Sequence, residues 1–543
     1  MSGSEGEKKS GYQGWDVKEA CNYLRVHGID DFMKLNRDEN LPEINLPDQQ
    51  VSDLEELGVS TDGEQSKPAK VFNDPIHGNI EMDPLLVRII DTPQFQRLRN
   101  IKQLGGTYFV YPGASHNRFE HSIGVGYLAG QLVKTLNERQ PKLDINNRDI
   151  LCVQIAGLCH DLGHGPFSHV FDNQFIPHFQ KGNKWKHENA SLDMFDHLIN
   201  SNGLWDELKK HGLVLPQDVV FIKELIKSPT CNGEWPYKGR PKEKGFLYDI
   251  VANKTNGIDV DKWDYFTRDS YHLGMKNNFD SARLLKFARV CKVGEVMHIC
   301  FRDKEVGNLY DMFNTRYILH WRAYQHRVVK IVELMIKEAL VLADPYIEII
   351  GTGEKIYKMS TAIEDMVAYT KLTDNILQQI LNSSKPQLQE AQKILNNILH
   401  RKLYKFIGQI RPEAEAIIQP EDFDKLAGKV AAVEPSSSVD VKFTANDFIV
   451  NVVLLDYGMK EKDPIEKVWF YSKTDPDKAI KIPKDQVPQL ITERFSEQLI
   501  QVYCKRTDKP SLEAAQKHFE QWCSNRNFTD SKDDDEGTAA SNP

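Results

Sequence analysis

Apolar residues recur at helical spacing along most of the chain, so the sequence predicts a mainly α protein. Positions such as Trp15, Leu24 and Leu57 predict a small helical bundle over residues 14–62. The run from Ile150 to Cys159 is apolar enough for a buried helix. After the bundle we expect an all-α core with small β-sheet insertions, followed by an α+β C-terminal lobe.

Two segments show strand alternation instead. Residues 283–308 predict a small sheet, with VGEVMHICF as its clearest strand, and residues 445–482 predict a second one from FIVNVVLLDYG and KVWFYS. Between them, RDKEVGNLYDMFNTRYILHWRAYQHRVVKIVELMI is interpreted as one long helix. Residues 360–410 are predicted to be helical, which would place Arg401 and Lys405 one turn apart.

Polar and turn-forming segments mark the boundaries. Residues 1–13 are small and polar, residues 63–69 contain Gly63, Ser66 and Pro68, and residues 529–543 are acidic. We predict disorder for the first and last segments and a linker for the middle one. The predicted structured regions are therefore 14–62, 70–410 and 411–528.

Composition narrows the class of protein. The 543 residues suggest two or three domains, and 40% hydrophobic with 27% charged residues is typical of a soluble globular protein. A net charge of −9 argues against a uniformly basic nucleic-acid coat.

The sequence has no run of eighteen apolar residues and no apolar signal-peptide core near its start. The eight cysteines are scattered, which indicates reduced thiols in an intracellular protein; Cys291 and Cys300 could meet across a hairpin, but buried thiols are the preferred interpretation.

The segment HDLGHGPFSH, from His160 to His169, concentrates three imidazoles and a carboxylate in ten residues. Imidazole nitrogen and carboxylate oxygen suit iron, manganese, zinc or magnesium. His160 and Asp161 would emerge at the end of the buried helix, where a metal would satisfy them. The alternative is a His-Asp pair that occurs by chance and is simply hydrogen-bonded.

Other polar residues are spaced to share helical faces. Arg118 and His121 are three apart, Asp261, Asp264, Tyr265 and Asp269 follow three-to-four spacing with Lys262 beside them, and Arg316, His320 and Tyr324 are four apart. Gln96, Arg99 and Gln103 are also predicted to share one face, for which a solvated surface is the simpler interpretation.

Several motifs together carry a family resemblance. NDPIHG, DTPQFQRLR, GASHNRFEHS, GLCHDLGHGPFSH, VDKWDYF and RAYQH occur in order. They resemble the vertebrate deoxynucleoside triphosphate triphosphohydrolases that combine a SAM domain with an HD phosphohydrolase domain. The likeness covers residues 14–528. It implies a SAM domain at 14–62, an HD domain at 70–410 and an oligomerisation or regulatory lobe at 411–528.

The resemblance implies metal-dependent cleavage of dNTPs to a deoxynucleoside and inorganic triphosphate. The implied metal ligands are His121, His160, Asp161 and Asp261, holding Fe, Zn or Mn, with Mg accompanying the nucleotide phosphates. His169 is the first choice as general acid, with Asp172 orienting it, His187 as a second candidate and His164 nearby. The implied substrate-binding residues are Gln103, Leu104, Arg118, Lys262, Tyr265, Asp269, Arg316, His320, Tyr324 and Gln325.

The resemblance also implies regulation by GTP and dNTP activators that convert monomers or dimers into a homotetramer. The matching positions are Lys70, Val71, Asp91, Gln96 and Arg99 for guanine, and Asn73, Val110, Arg283, Arg302, Lys304, Asn308, His326, Arg327, Arg401 and Lys405 for the second nucleotide. Arg327 stands where a lysine is usual, and Trp321 replaces a basic residue. Control of the dNTP pool, antiviral restriction and DNA repair are the implied roles. A nuclear location is implied, with the cytoplasm as the alternative because a basic import cluster is missing.

Two other function classes fit parts of the sequence. An HD-type phosphodiesterase or nuclease would use the same metal ligands on a diester. A single-stranded nucleic-acid-binding scaffold would use the SAM domain as an adaptor and basic surfaces for binding. The cations predicted to face a triphosphate favour the triphosphohydrolase.

Overall fold

The structure is a computed structural model that describes residues 69–180, 185–229, 234–412, 417–435, 441–459, 461–483, 494–526 and 528. These residues belong to the unit that begins at Pro68. The predicted SAM domain, the N-terminal segment, the linker up to residue 68 and the acidic tail lie outside the described residues. Across the described ranges, no helix has the length and apolarity required to cross a membrane.

The described part is mainly α-helical, as predicted. Its helices are α1 Pro84–Ile90, α2 Pro93–Gln96, α3 Arg118–Arg139, α4 Asn147–Cys159, α5 Ile176–Phe179, α6 His187–Ser201, α7 Trp205–Lys210, α8 Gln217–Ile226, α9 Val260–Leu273, α10 Ser281–Lys286, α11 Val306–Leu319, α12 Arg327–Ala343, α13 Met366–Lys371, α14 Ile376–Leu381, α15 Gln389–Leu399, α16 Leu426–Ala431 and α17 Lys509–Ser524. Two π-helical turns, Phe171–Phe175 and His320–Tyr324, interrupt the helical regions.

Short strands form small sheets beside the helices. They are β1 Lys70–Asp74, β2 Gly78–Met82, β3 Ala288–Val293, β4 Val296–Arg302, β5 Ile349–Ile350, β6 Ile356–Tyr357, β7 Lys405–Ile410, β8 Phe448–Asp456, β9 Phe470–Tyr471 and β10 Ser496–Cys504. β1 pairs with β2 and β5 with β6, both antiparallel. The other two sheets have the orders β3-β4-β9 and β7-β10-β8.

Two sheet predictions were wrong in detail. VGEVMHICF contains the end of β3, a turn and most of β4, which pair as a hairpin with Val293 opposite Val296. The two strands predicted to form one late sheet belong to different sheets, because β8 pairs with β10 whereas β9 runs parallel to β4, with Phe470 opposite Phe301. Alternation along a strand reports its buried face and not its partner, so the sequence could not assign these pairings.

Three helix predictions also need correction. The predicted long helix breaks at His320–Tyr324, and α12 restarts with extended His326 as its N-cap. Arg401 has a left-handed φ of 58° just after α15 and Lys405 begins β7, so these two residues are not on one helix. Gln103 lies beyond the helical turn Arg97–Asn100 and does not share a helical face with Gln96 and Arg99.

Helices α3 and α4 pack closely through glycines. A Cβ built on Gly157 of α4 would lie 3.0 Å from the Gly126 Cα of α3. A Cβ on Gly124 would lie 2.0 Å from Asp264 Oδ1 of α9. These approaches fix the positions of the three helices that carry the site described next.

The preferred interpretation of Cys291 and Cys300 as buried thiols agrees with the structure. Cys291 and Cys300 lie on neighbouring strands of the β3–β4 hairpin, and both are buried and free. Burial also raises the pKa of Cys159 above its ordinary range, so this thiol stays protonated.

Candidate active site

Three helix ends converge on one site. Asn117 and Glu120 form a capping box that begins α3, so His121 lies in its first turn. Helix α4 ends at Cys159 with His160 as its C-cap, as the apolar run predicted. Asp259 caps α9 and places Asp261 in the first turn of that helix.

The four predicted metal ligands lie together. His121 Nε2 is 3.4 Å from Asp161 Oδ2 and 3.2 Å from Asp261 Oδ1. His160 Nε2 is 3.4 Å from an oxygen of each of the same two aspartates. Nε2 and carboxylate oxygens from three helices therefore point at a shared space.

The electrostatics of this cluster favour a bound cation. Burial lowers the pKa of His121, but the carboxylates of Asp161, Asp261 and Asp264 raise it, and the net pKa is well above the ordinary range. Burial opposes ionisation of Asp261, yet the neighbouring imidazoles of His121 and His160 hold its pKa below the ordinary range. Two acids crowded against two imidazoles concentrate negative charge that a divalent cation would balance.

Groups behind the ligands fix their orientation. Asp264 Oδ2 accepts from His121 Nδ1 at 2.7 Å, which leaves the Nε2 lone pair facing the cluster. Arg268 donates twice to Asp264, at 2.8 and 2.9 Å, and once to Asp74 at 2.8 Å. His160 Nδ1 donates to the Gly157 carbonyl at 2.7 Å.

The residues present fit a divalent metal. Among the described residues, the Nε2 atoms of His121 and His160 are buried without a hydrogen-bond partner, and a cation would satisfy both lone pairs. His121, His160 and Asp261 offer ligand atoms within 4.8 Å of one another. Two imidazoles with two carboxylates suit iron, manganese or zinc better than the all-oxygen set preferred by calcium.

A second histidine group adjoins the metal ligands. The rings of His164 and His187 stack with centroids 3.9 Å apart. Asp172 Oδ2 lies 2.8 Å from His164 Nδ1 and 3.1 Å from His187 Nδ1, but 3.9 Å from His169 Nδ1. Asp172 therefore lies closer to His164 and His187 than to His169, and its expected role in orienting His169 stays a prediction.

The protonation of this group follows from its contacts. Burial opposes ionisation of Asp172, but the neighbouring His164 and His187 hold its pKa below the ordinary range. Burial lowers the pKa of His187, whereas Asp172 and Glu188 raise it, with a net increase. The side chain of His169 is 62% exposed, in contrast to the buried His164.

A cavity of about 440 Å³ opens onto both groups. Its lining includes the predicted substrate residues Gln103, Leu104, Arg118, Tyr265, Asp269, Arg316, His320, Tyr324 and Gln325. Lys262 is the exception, because its Nζ lies 3.0 Å from Asp259 and the residue is not part of this lining. Arg118 donates to Asp161 at 2.6 Å and to Ser168 at 3.1 Å, so it also anchors the metal cluster.

The π-helical turn His320–Tyr324 contributes one wall of the cavity. Tyr324 donates to Asp269 Oδ2 at 2.5 Å, and His116 lies 2.6 Å from the other oxygen of this carboxylate. Burial and the nearby Arg316 lower the pKa of His320 to about 3, so this ring is neutral at pH 7. These contacts hold the aromatic ring of Tyr324 in place.

Some functional positions were missed from the sequence. The cavity lining also contains Thr107, Phe167, Ser168, Asn173, Lys330 and Glu333. Asp264 was placed on the correct helix but not assigned to the site, although its spacing from Asp261 and Arg268 was a usable signal. His116 and Lys330 gave no signal, because neither spacing nor local composition distinguishes them.

The predicted activator positions gather into surface groups. Lys70 and Asp91 are 3.5 Å apart, and Arg99 donates to Gln96 at 2.7 Å. Val71 is 58% exposed on the same strand as Lys70 and Asn73.

The remaining activator positions form two further groups. Arg283 and Asn308 both contact Glu305, and the cations of Arg283 and Lys304 lie over the Phe287 ring; Arg302 pairs with Asp303 nearby. Arg401 donates to the carbonyl of Phe109, beside Val110, while His326 packs on Tyr111 and Arg327 lies over Phe406, which follows Lys405. The fold thus brings together residues that are far apart in sequence.

Comparison with known proteins agrees with this geometry. Residues 118–269, which include the four clustered ligands, match the HD domain. The chain is also similar to the deoxynucleoside triphosphate triphosphohydrolase SAMHD1 of Xenopus laevis, at 56% identity over 98% of this chain and 88% of that protein. The zebrafish (Danio rerio) protein of the same name is 57% identical over 96% of this chain and 87% of its own, and the Homo sapiens protein is 56% identical over 96% and 87%. The chain therefore belongs to the SAMHD1 family of HD-domain proteins, and the resemblance found in its motifs is confirmed.

Proposed function

We propose that this protein hydrolyses deoxynucleoside triphosphates to a deoxynucleoside and inorganic triphosphate. The relatives carry this activity in their name. The supporting observation is a cavity that joins the His121–His160–Asp161–Asp261 cluster to Arg316 and the Tyr324–Asp269 pair. Such a cavity offers a metal centre, a phosphate-binding cation and a sugar-facing wall to one ligand.

The residues have separate roles in the proposed reaction. His121, His160, Asp161 and Asp261 would hold the divalent metal, which when bound polarises a phosphoryl oxygen. Water attacks the α-phosphorus, and the bond from this phosphorus to the 5′ oxygen breaks. The leaving oxygen takes a proton, for which His169 at the cavity is our candidate donor. Burial and the nearby His164 and Arg118 lower the pKa of His169, so this role requires that the phosphates of the bound nucleotide raise that pKa again. Arg316 faces the negative charge of the triphosphate, which Mg²⁺ would accompany into the site.

His164, His187 and Asp172 have a supporting role in this proposal. Their stacked rings and the Asp172 carboxylate form a charged wall beside His169, with His164 and His169 rings 5.4 Å apart. His187 has a raised pKa and is therefore partly protonated near neutral pH, where it would attract phosphate oxygens. His187 also remains the second candidate for the proton donor.

We also propose that GTP and dNTP activators assemble the enzyme into tetramers. The support is the position of Asp91, whose carboxylate is about half exposed beside Lys70. A carboxylate accepts hydrogen bonds from both N1 and N2 of guanine, and adenine lacks this donor pair. A ligand that binds only the assembled form stabilises it by mass action.

The first experiment measures products. Purified protein is incubated with dGTP and Mn²⁺, and deoxyguanosine and inorganic triphosphate are quantified by chromatography. We expect one triphosphate for each deoxyguanosine. Release of pyrophosphate, or cleavage of a phosphodiester substrate without action on dGTP, would contradict the proposal.

The matched variants are Asp261→Ala and Asp196→Ala. Asp261→Ala should remove bound metal and product formation together. Asp196 pairs with Lys223 and does not line the cavity, so its loss controls for the effect of removing any partly buried aspartate. Full metal content in Asp261→Ala would contradict the assignment of the metal site.

A further inference from the structure

The turn that carries His169 has a strained backbone. Phe167 and Ser168, the two residues before His169, have left-handed φ values of 57° and 51°. Residues with a Cβ rarely adopt this backbone conformation, and two of them in succession persist only when their surroundings enforce it. Both residues are buried, and Phe167, Ser168 and His169 all line the cavity.

A distant carboxylate enforces this turn. Asp374 lies between α13 and α14, and its Oδ1 accepts from the Phe167 backbone N–H at 2.6 Å. Its Oδ2 accepts from the Lys102 backbone N–H at 2.8 Å. The Lys102 carbonyl in turn accepts from Ser168 Oγ at 2.7 Å, so both left-handed residues are tied to one frame.

The surroundings leave little room for the turn to move. A Cβ built on Gly105 would lie 2.4 Å from the Phe167 carbonyl oxygen, so this loop packs directly on the turn. Burial raises the pKa of Asp374 to about 6, and the two backbone donors oppose that increase. Among the described residues, backbone N–H groups hold this carboxylate in place, and no cation forms an ion pair with it.

We propose that Asp374 is a positioning residue that directs His169 into the cavity by holding the Phe167–Ser168 turn. If the Asp374 contact is lost, the φ angles can return to negative values, and rotation about these bonds swings the following residue away. Asp374 acts through His169, and the inference rests on the proposed role of His169 as proton donor.

The test is Asp374→Asn, which keeps the side-chain size but replaces one accepting oxygen by an N–H₂ group that faces a backbone donor. We expect kcat for dGTP to fall at least tenfold, while KM stays within about threefold and metal content is unchanged, as for lost proton transfer. In a His169→Ala background, Asp374→Asn should cause no further loss, because both changes remove the same step.

The matched control is Asp365→Asn. Asp365 also accepts backbone N–H groups, from Ala368 at 2.9 Å and Thr352 at 3.3 Å, and it precedes α13 in the same segment. This variant should lose stability comparable to that lost by Asp374→Asn yet retain kcat. Thermal unfolding of all variants shows whether a lower kcat reflects a folded enzyme.

Three kinetic results and one structural result would overturn the inference. The kinetic results are a kcat for Asp374→Asn within twofold of the wild type, an equal loss of kcat in the presence and absence of His169, or an equal loss in Asp365→Asn. A crystal structure of Asp374→Asn gives a readout independent of activity, and positive φ values retained at Phe167 and Ser168 would also refute it. If the wild type releases no triphosphate, the proposed function fails, and the crystal structure still decides whether Asp374 holds the turn.

Discussion

Replacing Asp264 by asparagine should weaken metal binding although none of the four proposed metal ligands is changed. The carboxylate is fully buried and receives four contacts: from Arg268 Nε and Nη2, His77 Nε2 and His121 Nδ1, all between 2.7 and 2.9 Å. An asparagine at this position offers one oxygen to these groups and turns an amide nitrogen toward the others. In either orientation of the amide, the negative charge that makes His121 Nε2 a stronger metal ligand is lost.

The magnitude follows from these contacts. Loss of a group that orients a metal-binding histidine typically lowers affinity by about 10- to 100-fold, equivalent to about 1.4–2.8 kcal/mol. Breaking a buried ion pair costs about 3–5 kcal/mol of folding stability. Arg268 keeps Asp74 as a partner, so we expect a stability loss near the lower end of that range.

The assay is chelator competition for Mn²⁺ at 25 °C, with thermal unfolding of the metal-free protein in parallel. Asp74→Asn is the control, because it weakens the hold on Arg268 while leaving the Asp264–His121 contact in place. Asp264→Asn should lower metal affinity and Asp74→Asn should not. Unchanged affinity in Asp264→Asn would refute the reasoning, and an equal decrease in both variants would show that general destabilisation is the cause.

Three further predictions concern the sugar, the activator and pH. Tyr324→Ala should bind GTP in the cavity more tightly than the wild type, since the ring held by Asp269 would exclude a ribose 2′ hydroxyl, whereas Tyr324→Phe should not; equal GTP binding in all three would remove Tyr324 from this role. Asp91→Asn should need more GTP to form tetramers in sedimentation with dATP and to release triphosphate, with normal metal content, and an unchanged GTP response would contradict the role of Asp91. Burial lowers the pKa of His298, but Asp249 at 3.0 Å raises it to a net value above normal, so its stabilising charge is present below about pH 6.5 and is lost as pH rises through the raised pKa. The melting temperature of the wild type relative to His298→Gln should therefore fall between pH 6 and pH 8, and a constant difference would argue against this pair.

Local sequence was sufficient where a residue's role depends on its own helix. The apolar run of α4 and the polar residues that follow predicted where His160 and Asp161 emerge. Spacing placed Arg118 and His121 in one helical turn and Asp261 and Asp264 in another, because the 3.6-residue repeat relates neighbours on a face.

Pairings over long distances were decided only by the tertiary structure. Nothing local indicates that β8 pairs with β10 while β9 joins β4, since alternation gives the buried face but not the partner. The break at His320–Tyr324 was also missed, because a π-helical turn keeps the same local hydrophobic composition as the helices around it.

In the candidate active site, too, local sequence determined some features and the tertiary structure decided the others. The sequence determined which residues supply the imidazoles and carboxylates, since their chemistry resides in the side chains themselves. Only the fold decided that Asp172 Oδ2 lies 2.8 Å from His164 Nδ1 and 3.1 Å from His187 Nδ1, and farther from His169 Nδ1. It also placed Asp374 against Phe167, from 207 residues away in the chain. Hydrogen bonds act over about 3 Å, and the distances between segments that meet in space are set by the packing of the whole core, which no short stretch of sequence encodes.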